Sequence, residues 1–155
     1  MMIEDLLVQQ LRYDEGVRFK PYRDTVGKLT IGVGRNLDDK GINQAEADLM
    51  LQDDIDDVLR DLKAKLPWTD ALDDARRGVL ANMAFNMGIV GLLGFTRTLA
   101  MIQAGNYSGA ADAMLESTWA KQVGNRATRL SNQMRSGEWH INGLKPVASG
   151  GGGDE

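Results

Sequence analysis

The chain has 155 residues, 43% of them hydrophobic, and a formal net charge of −4. This length is enough for one domain with a hydrophobic core or for two small lobes. Because the sequence contains no cysteine, disulfides, thiolate metal sites and cysteine nucleophiles are excluded. No apolar run has the length of a membrane-spanning helix, so we expect no stable membrane insertion.

The charge is unevenly distributed along the chain. Residues 1–37 carry a net charge of +1, residues 38–76 carry −7, and residues 77–155 carry +2. A nucleic-acid-binding protein usually presents a concentrated basic face, so the acidic middle argues against DNA or RNA as a partner. The N-terminus has acids where a signal peptide has basic residues, and it lacks a long apolar region. We therefore expect no signal peptide.

The segment from Asp14 to Gly34 changes from a helical pattern to a strand pattern. Apolar residues at helical spacing precede it, and Gly16 is a helix stop signal. Apolar residues then alternate with small or polar ones around Thr30, which predicts a bent, exposed β-hairpin. This alternation predicts that Thr30 lies opposite the apolar face, with its hydroxyl pointing away from the small core. Two acids in this hairpin region, Glu15 and Asp24, are candidates for chemistry.

A long amphipathic helix is predicted after the hairpin. Asn43 and Glu46 have the spacing of a capping box, and an apolar stripe then continues for about five turns, as far as Pro67. The aspartates of this helix lie largely off the stripe. We interpret them as a solvated face rather than a cation site, because the central glycine of a calcium loop is absent.

The remainder of the chain predicts short helices separated by glycines. They cover residues 75–87, 89–93, 96–103, 107–115 and 125–134. Strands at the front and helices behind predict an α+β fold. The glycine-rich end predicts a flexible tail over residues 146–155.

Glu15, Asp24 and Thr30 have a characteristic spacing, and Thr30 begins the strand TIGVG. Further motif residues follow in a fixed order. These residues are Arg76, Arg77, Asn82, Met83, Phe85, Met87, Gly88, Gly94, Phe95, Thr96, Trp119, Asn125, Arg126, Ala127, Arg129 and Trp139. The set closely resembles the phage-type lysozymes, the endolysins with which tailed phages cut host peptidoglycan. It covers the chain from Ile3 to about His140.

The resemblance implies a single lysozyme-like catalytic domain over residues 1–145. Its expected parts are a small sheet lobe at about 14–43, a connecting helix at about 44–65, and a larger helical lobe at about 67–140 that includes the N-terminal helix. The active-site cleft is expected between the two lobes.

The resemblance also implies roles for individual residues. Glu15 is the expected general acid, and Asp24 and Thr30 are expected to hold and activate the attacking water. Residues expected to bind substrate or to support the site are Gly32, Asn82, Phe85, Asn86 and Arg126, the last by orienting Glu15. Without the resemblance, Asp24 is a turn former, Thr30 a good strand residue, and Phe85 a core residue.

The activity implied is hydrolysis of the β-1,4 bond between N-acetylmuramic acid and N-acetylglucosamine, with peptidoglycan glycan strands as partner. No cofactor or metal is expected. We expect a monomer that is made in the host bacterial cytoplasm and acts on the cell wall or periplasm. The alternatives are a lytic transglycosylase and a non-catalytic peptidoglycan-binding virion module. Inversion and retention both stay open, since they depend on the distance between the carboxyl groups.

One position departs from the family pattern. The family usually has His after the Gly-x-Gly of the TIGVG strand, where this chain has Arg35. We expect an arginine–carboxylate ion pair to replace the histidine–carboxylate one, with Asp54 on the long helix as the partner.

Overall fold

The computed structural model describes residues 3–142 and 145–149, and the chain divides into two compact units. The first unit is Met1–Leu51 and the second is Gln52–Glu155. Over the described residues the chain forms seven α-helices, one 3-10 helix and two small antiparallel sheets. A mostly helical chain with a short antiparallel sheet confirms the predicted α+β class. The predicted boundaries of the lobes stay a prediction.

The first unit begins with a helix and continues into a three-stranded antiparallel sheet. Helix α1 is Ile3–Glu15, and strands β1, β2 and β3 are Arg18–Arg23, Leu29–Gly32 and Arg35–Asn36, in that spatial order. The unit ends in the first turns of α2, which is Gln44–Lys65. This order confirms the predicted helix followed by a hairpin.

Local backbone features give the hairpin its bend. Gly16 ends α1 at a φ of +71°, in the left-handed region that favours glycine. The register of β1 against β2 shifts between Arg18 and Tyr22, which the sequence did not predict. The connecting turn is closed by the Gly27 N–H, which donates to the Asp24 carbonyl at 3.0 Å. The helix end at Gly16 and this turn lie where the glycine pattern predicted a change of direction.

The start of α2 is capped as the sequence predicted. The Glu46 N–H donates to Asn43 Oδ1 and the Asn43 N–H donates to Glu46 Oε1, each at 2.9 Å, which completes a capping box. Arg35 donates from both terminal nitrogens to the same carboxylate, at 2.8 and 2.6 Å. The predicted Arg35–Asp54 pair is therefore wrong in its partner. Glu46 lies in the first turn of α2. Asp54 lies eight residues beyond Glu46, which is about 12 Å along the helix axis.

The Arg35–Glu46 pair predicts a pH dependence of stability. The Arg35 guanidinium, followed by the N–H of Asn43, lowers the pKa of Glu46 from 4.5 to about 2. Because the pKa is lower in the folded state, the stabilisation is complete above pH 4.5 and is lost as the pH falls toward 2. Glu46→Gln keeps an acceptor for the cap and removes the charge. The difference in melting temperature between wild type and Glu46→Gln should be full at pH 6 and vanish near pH 2, and a difference unchanged over this range would contradict the assignment.

The second unit is helical and contains the hydrophobic core. After the end of α2 it forms the 3-10 helix Pro67–Ala71 and helices α3 (Asp74–Leu93), α4 (Thr96–Gln103), α5 (Tyr107–Glu116), α6 (Thr118–Val123) and α7 (Asn125–Ser136). Gly88 has a φ of +83° and interrupts α3 where the sequence predicted a break. The sequence did not predict α6, which has only six residues and lies between two predicted helices.

Burial differs between the two units. The largest fully buried side chains lie in the second unit, among them Leu62, Leu80, Met83, Met114 and Met134. In the described part of the first unit, Thr30 is the only buried residue. The apolar stripe of α2 follows the same division, because it is buried at Leu62 and Leu66 but exposed at Leu49. The aspartates of α2 are exposed, which confirms the solvated face.

Two short strands close the described part of the chain. Strand β4, Glu138–Trp139, pairs with β5, Val147–Ala148. Trp139 also packs against α3 at Gly78, where an added Cβ would lie 2.3 Å from the indole ring. The predicted tail of residues 146–155 thus includes a paired strand, and its residues 150–155 lie outside the described residues.

Among the described helices, none has by itself the length and apolar composition needed to cross a membrane. Helices α3 and α4 reach this length and composition only when they are taken together, and they are bent by 103° at the break between them. Val79, Leu80 and Met83 of α3 are fully buried in the second unit, as in a core helix.

Candidate active site

Glu15 is the last residue of α1, and its side chain contacts the turn between β2 and β3. A Cβ atom added to Gly34 in that turn would lie 2.9 Å from Oε2 and 3.0 Å from Cδ of Glu15. The Glu15 side chain is exposed. The helix end thus presents a carboxyl group against the backbone of the hairpin, within the first unit.

Asp24 organises the β1–β2 turn. Its Oδ1 accepts the N–H of Val26 at 3.0 Å and that of Lys28 at 2.8 Å. This is the turn-forming role that its residue type predicts. Among the described residues no hydrogen bond to Oδ2 is observed, so that oxygen can accept a proton or a hydrogen bond from a ligand.

Thr30 lies at the centre of the three-stranded sheet, opposite Tyr22 on β1 and Asn36 on β3. It is 3% exposed, and its hydroxyl donates to the carbonyl of Lys28 at 2.8 Å. The burial of Thr30 is a feature that the alternation of residues did not predict. The direction of its hydroxyl relative to the apolar face of the hairpin stays a prediction.

The main chain of Lys28 connects Asp24 to Thr30. The Lys28 carbonyl accepts both the Asp24 N–H at 2.9 Å and the Thr30 hydroxyl at 2.8 Å, while the Lys28 N–H donates to Asp24 Oδ1. The structure thus brings together two of the three predicted catalytic groups. Sequence reasoning missed Lys28, because its contribution comes from the peptide groups and has no side-chain signal.

This arrangement leaves two hydrogen-bond acceptors. The hydrogen of the Thr30 hydroxyl is used by a carbonyl, so its oxygen keeps lone pairs for accepting. Asp24 Oδ2 is a second acceptor. A water molecule that donated one hydrogen to each would keep its own lone pairs for attack on an electrophile.

Gly32, the remaining predicted site residue of the first unit, pairs with Arg18 at the end of β2. Its φ is +69°, and a Cβ added there would meet no atom within 4 Å. Backbone conformation therefore explains glycine at this position. Its supporting role in the site stays a prediction.

The polar residues predicted in the second unit form two bonded pairs. Arg126 Nε donates to Asn82 Oδ1 at 2.9 Å, and Trp119 Nε1 donates to Asn86 Oδ1 at 3.0 Å. Both amides belong to α3, so their oxygens are used to bind α7 and α6. The role of Arg126 in orienting Glu15 stays a prediction.

Phe85 lies on the exposed side of α3 and not in the core. It is 43% exposed and contributes to an open groove of about 290 Å³ between α2 and α3. Asp54, Asp57 and Asp61 of α2 line the same groove. The alternative that Phe85 is a core residue is therefore wrong.

The other acids of the sheet region bind neighbouring groups. Asp38 Oδ2 accepts the N–H of Leu29 at 2.8 Å, and Asp39 forms an ion pair with Lys28 Nζ at 3.1 Å. In residues 3–142 and 145–149, no group of three or more His, Asp or Glu side chains could hold a metal ion. The chemistry that Glu15 and Asp24 can supply is acid–base chemistry by carboxyl groups.

A short antiparallel sheet that carries acids and a hydroxyl, followed by a helical unit, defines an α+β protein with a lysozyme-like fold. The chain belongs to the phage lysozyme family, whose family model matches residues 12–137.

Similar proteins of different lengths support this assignment. The pre-baseplate central spike protein of Enterobacteria phage T4 is 29% identical over 90% of this chain, which spans 29% of that protein. A probable T4-type lysozyme of Dictyostelium discoideum is 28% identical over 82% of this chain and 92% of its own length. An endolysin of Acyrthosiphon pisum secondary endosymbiont phage 1 is 33% identical over 77% of this chain and 82% of its own length.

Proposed function

We propose that the protein is a muramidase that hydrolyses the β-1,4 bond between N-acetylmuramic acid and N-acetylglucosamine in peptidoglycan. The observation that carries this proposal is the Lys28 peptide, which holds Asp24 and Thr30 together on the hairpin. Glu15 lies against the same sheet at Gly34. Two carboxyl groups in separate environments are what glycosidic cleavage requires.

The first half of the reaction is assigned to Glu15. Its carboxylic acid donates a proton to the glycosidic oxygen as the bond between that oxygen and the anomeric carbon breaks. The sugar with the new free hydroxyl is the leaving group. Positive charge develops at the anomeric carbon of the other sugar ring. Water can then attack this carbon from the face opposite to the leaving group.

The second half is assigned to water held by Asp24 and Thr30. The water donates to Asp24 Oδ2 and to the Thr30 oxygen, and its own oxygen forms the new bond to the anomeric carbon. Asp24 accepts the proton that the water loses, so the two carboxyl groups exchange their protonation states over one cycle. Attack opposite to the leaving group inverts the configuration at the anomeric carbon.

The α3 amides and Phe85 of the second unit are assigned to substrate binding. Because the oxygens of Asn82 and Asn86 accept hydrogen bonds from Arg126 and Trp119, their amide nitrogens are the groups that can donate to a sugar. The expected acceptors are sugar hydroxyls and N-acetyl carbonyls. Arg126 and Gly32 are assigned supporting roles.

The biological setting follows from the same proposal. The glycan strands of peptidoglycan are the substrate, and the named endolysins among the similar proteins support action on the cell wall. We propose that the protein acts as a monomer without a cofactor, and that it is made in the host cytoplasm for release to the wall or periplasm during lysis. The alternative is a role within the virion, which the similarity to the spike protein supports.

Product analysis in oxygen-18 water tests the proposed reaction. Mass spectrometry of digested peptidoglycan should find reducing N-acetylmuramic acid ends, each carrying one oxygen-18 atom. Proton NMR at early times should find these ends as the α-anomer. Anhydro-muramic ends without the label would instead establish a lytic transglycosylase, for which the water-binding pair would have no use. Binding to cell walls without any released product would establish a non-catalytic module.

A further inference from the structure

The turn between β2 and β3 contains a glycine that contacts the proposed general acid. An added Cβ on Gly34 would lie 2.9 Å from Oε2, 3.0 Å from Cδ and 3.2 Å from Cγ of Glu15. A Cβ atom essentially never lies closer than 3.0 Å to a heavy atom outside its own residue and its two chain neighbours. The end of the Glu15 side chain therefore occupies the volume that any side chain at position 34 would need.

Backbone conformation alone does not account for this contact. Gly16, Gly27, Gly32, Gly34 and Gly41 of the first unit all have positive φ values, between +66° and +85°. An added Cβ at any of the other four would meet no atom closer than 3.9 Å. Gly34 thus has two separate reasons to be glycine, a left-handed backbone and the space taken by Glu15.

The contact matters because little else in the first unit fixes the carboxyl group. Glu15 is exposed and ends a helix, and within the described residues of that unit no hydrogen bond to its carboxyl group is observed. A carboxylic acid must lie within hydrogen-bonding reach of the atom it protonates. The bare Cα of Gly34 is the surface against which Glu15 rests.

We infer that Gly34 is a positioning residue, whose missing side chain determines where the Glu15 carboxyl group lies. Any Cβ at position 34 displaces the carboxyl group by a few tenths of an ångström, away from the hairpin. Because a misplacement of about 1 Å can lower a catalysed rate by about 10²-fold, a shift of this size lowers it by about 4- to 10-fold. The inference rests on the proposed role of Glu15 for its effect on rate, but not for the contact itself.

The experiment compares Gly34→Ala with Gly41→Ala. Both substitutions place alanine at a φ of +66°, and only at position 34 does the new Cβ meet an atom closer than 3.9 Å. We expect similar losses of melting temperature in both variants, but a decrease in kcat of about 4- to 10-fold, with KM little changed, only in Gly34→Ala. The carbon-13 shift of the Glu15 carboxyl should move in Gly34→Ala and stay in place in Gly41→Ala.

Two further measurements keep the inference testable. If the alanine variants fold poorly, Gly34→Asn and Gly41→Asn replace them, because asparagine tolerates a positive φ better than alanine does. In a Glu15→Asp background, where the carboxyl group is one methylene shorter, Gly34→Ala should cost less than threefold in kcat. Equal kcat and equal Glu15 carboxyl shifts in the Gly34 and Gly41 variants would overturn the inference. An active Glu15→Gln variant would instead overturn the proposed function and leave the carboxyl shift comparison intact.

Discussion

Replacing Glu15 with glutamine is expected to lower cell-wall hydrolysis by about 10²- to 10⁴-fold while leaving the fold unchanged. Glutamine has nearly the same shape, so it can rest against Gly34 as glutamate does. It has no acidic proton for the leaving oxygen. The measurement is the rate of turbidity loss of a cell-wall suspension, with circular dichroism and melting temperature recorded on the same samples.

The matched control for this prediction is Glu4→Gln. Glu4 is an exposed acid in the first turn of the same helix, so its loss removes only a favourable interaction with the helix dipole. The Glu4 variant should clear cell walls at the wild-type rate. If Glu15→Gln also clears them at that rate, Glu15 is not the general acid, and the proposed mechanism is wrong.

Asp24→Asn is expected to lower hydrolysis by about 10²- to 10³-fold with little change in melting temperature. Asparagine keeps an Oδ1 that can accept the N–H groups of Val26 and Lys28, so the turn stays formed. It cannot accept the proton of the attacking water. A turn former with no catalytic role would be replaced by asparagine without loss of rate.

Asp24→Ala completes the test, because it removes both the turn-forming oxygen and the proton acceptor. Its melting temperature should fall below that of Asp24→Asn, and its activity should be no higher. Asp39→Asn serves as the control, since Asp39 is an exposed acid of the same sheet region and forms an ion pair with Lys28. Wild-type turnover by Asp24→Asn would argue for the transglycosylase alternative, which needs no water-binding pair.

The sequence predicted the features of this molecule that depend on local patterns. The hairpin follows from a period of two and glycine punctuation, the Asn43–Glu46 cap from a three-residue spacing, and the break in α3 from Gly88. The helices at Thr96–Gln103 and from Tyr107 onward begin where their spacing predicted. The proposed catalytic roles follow from the resemblance to a family and not from periodicity.

The remaining features depend on atoms that patterns do not describe. The alternation of apolar residues does not specify that Thr30 is buried. The partner of Arg35 is Glu46 because a side chain binds the carboxylate it can reach, and that distance depends on the fold. Lys28 acts through its main-chain N–H and carbonyl, and Gly34 acts through the side chain that it lacks. Neither role has a sequence signature.

The distribution of buried residues has a consequence for how activity is lost. The first unit has one buried residue in its described part, Thr30, and depends on caps, turns and the Arg35–Glu46 pair for its order. Segments with few buried apolar contacts open locally at a lower free energy than the whole protein unfolds. The hairpin amides should therefore exchange with solvent faster than those of α3. Heat or denaturant should then abolish the proposed activity by opening the hairpin, while the helical unit is still folded.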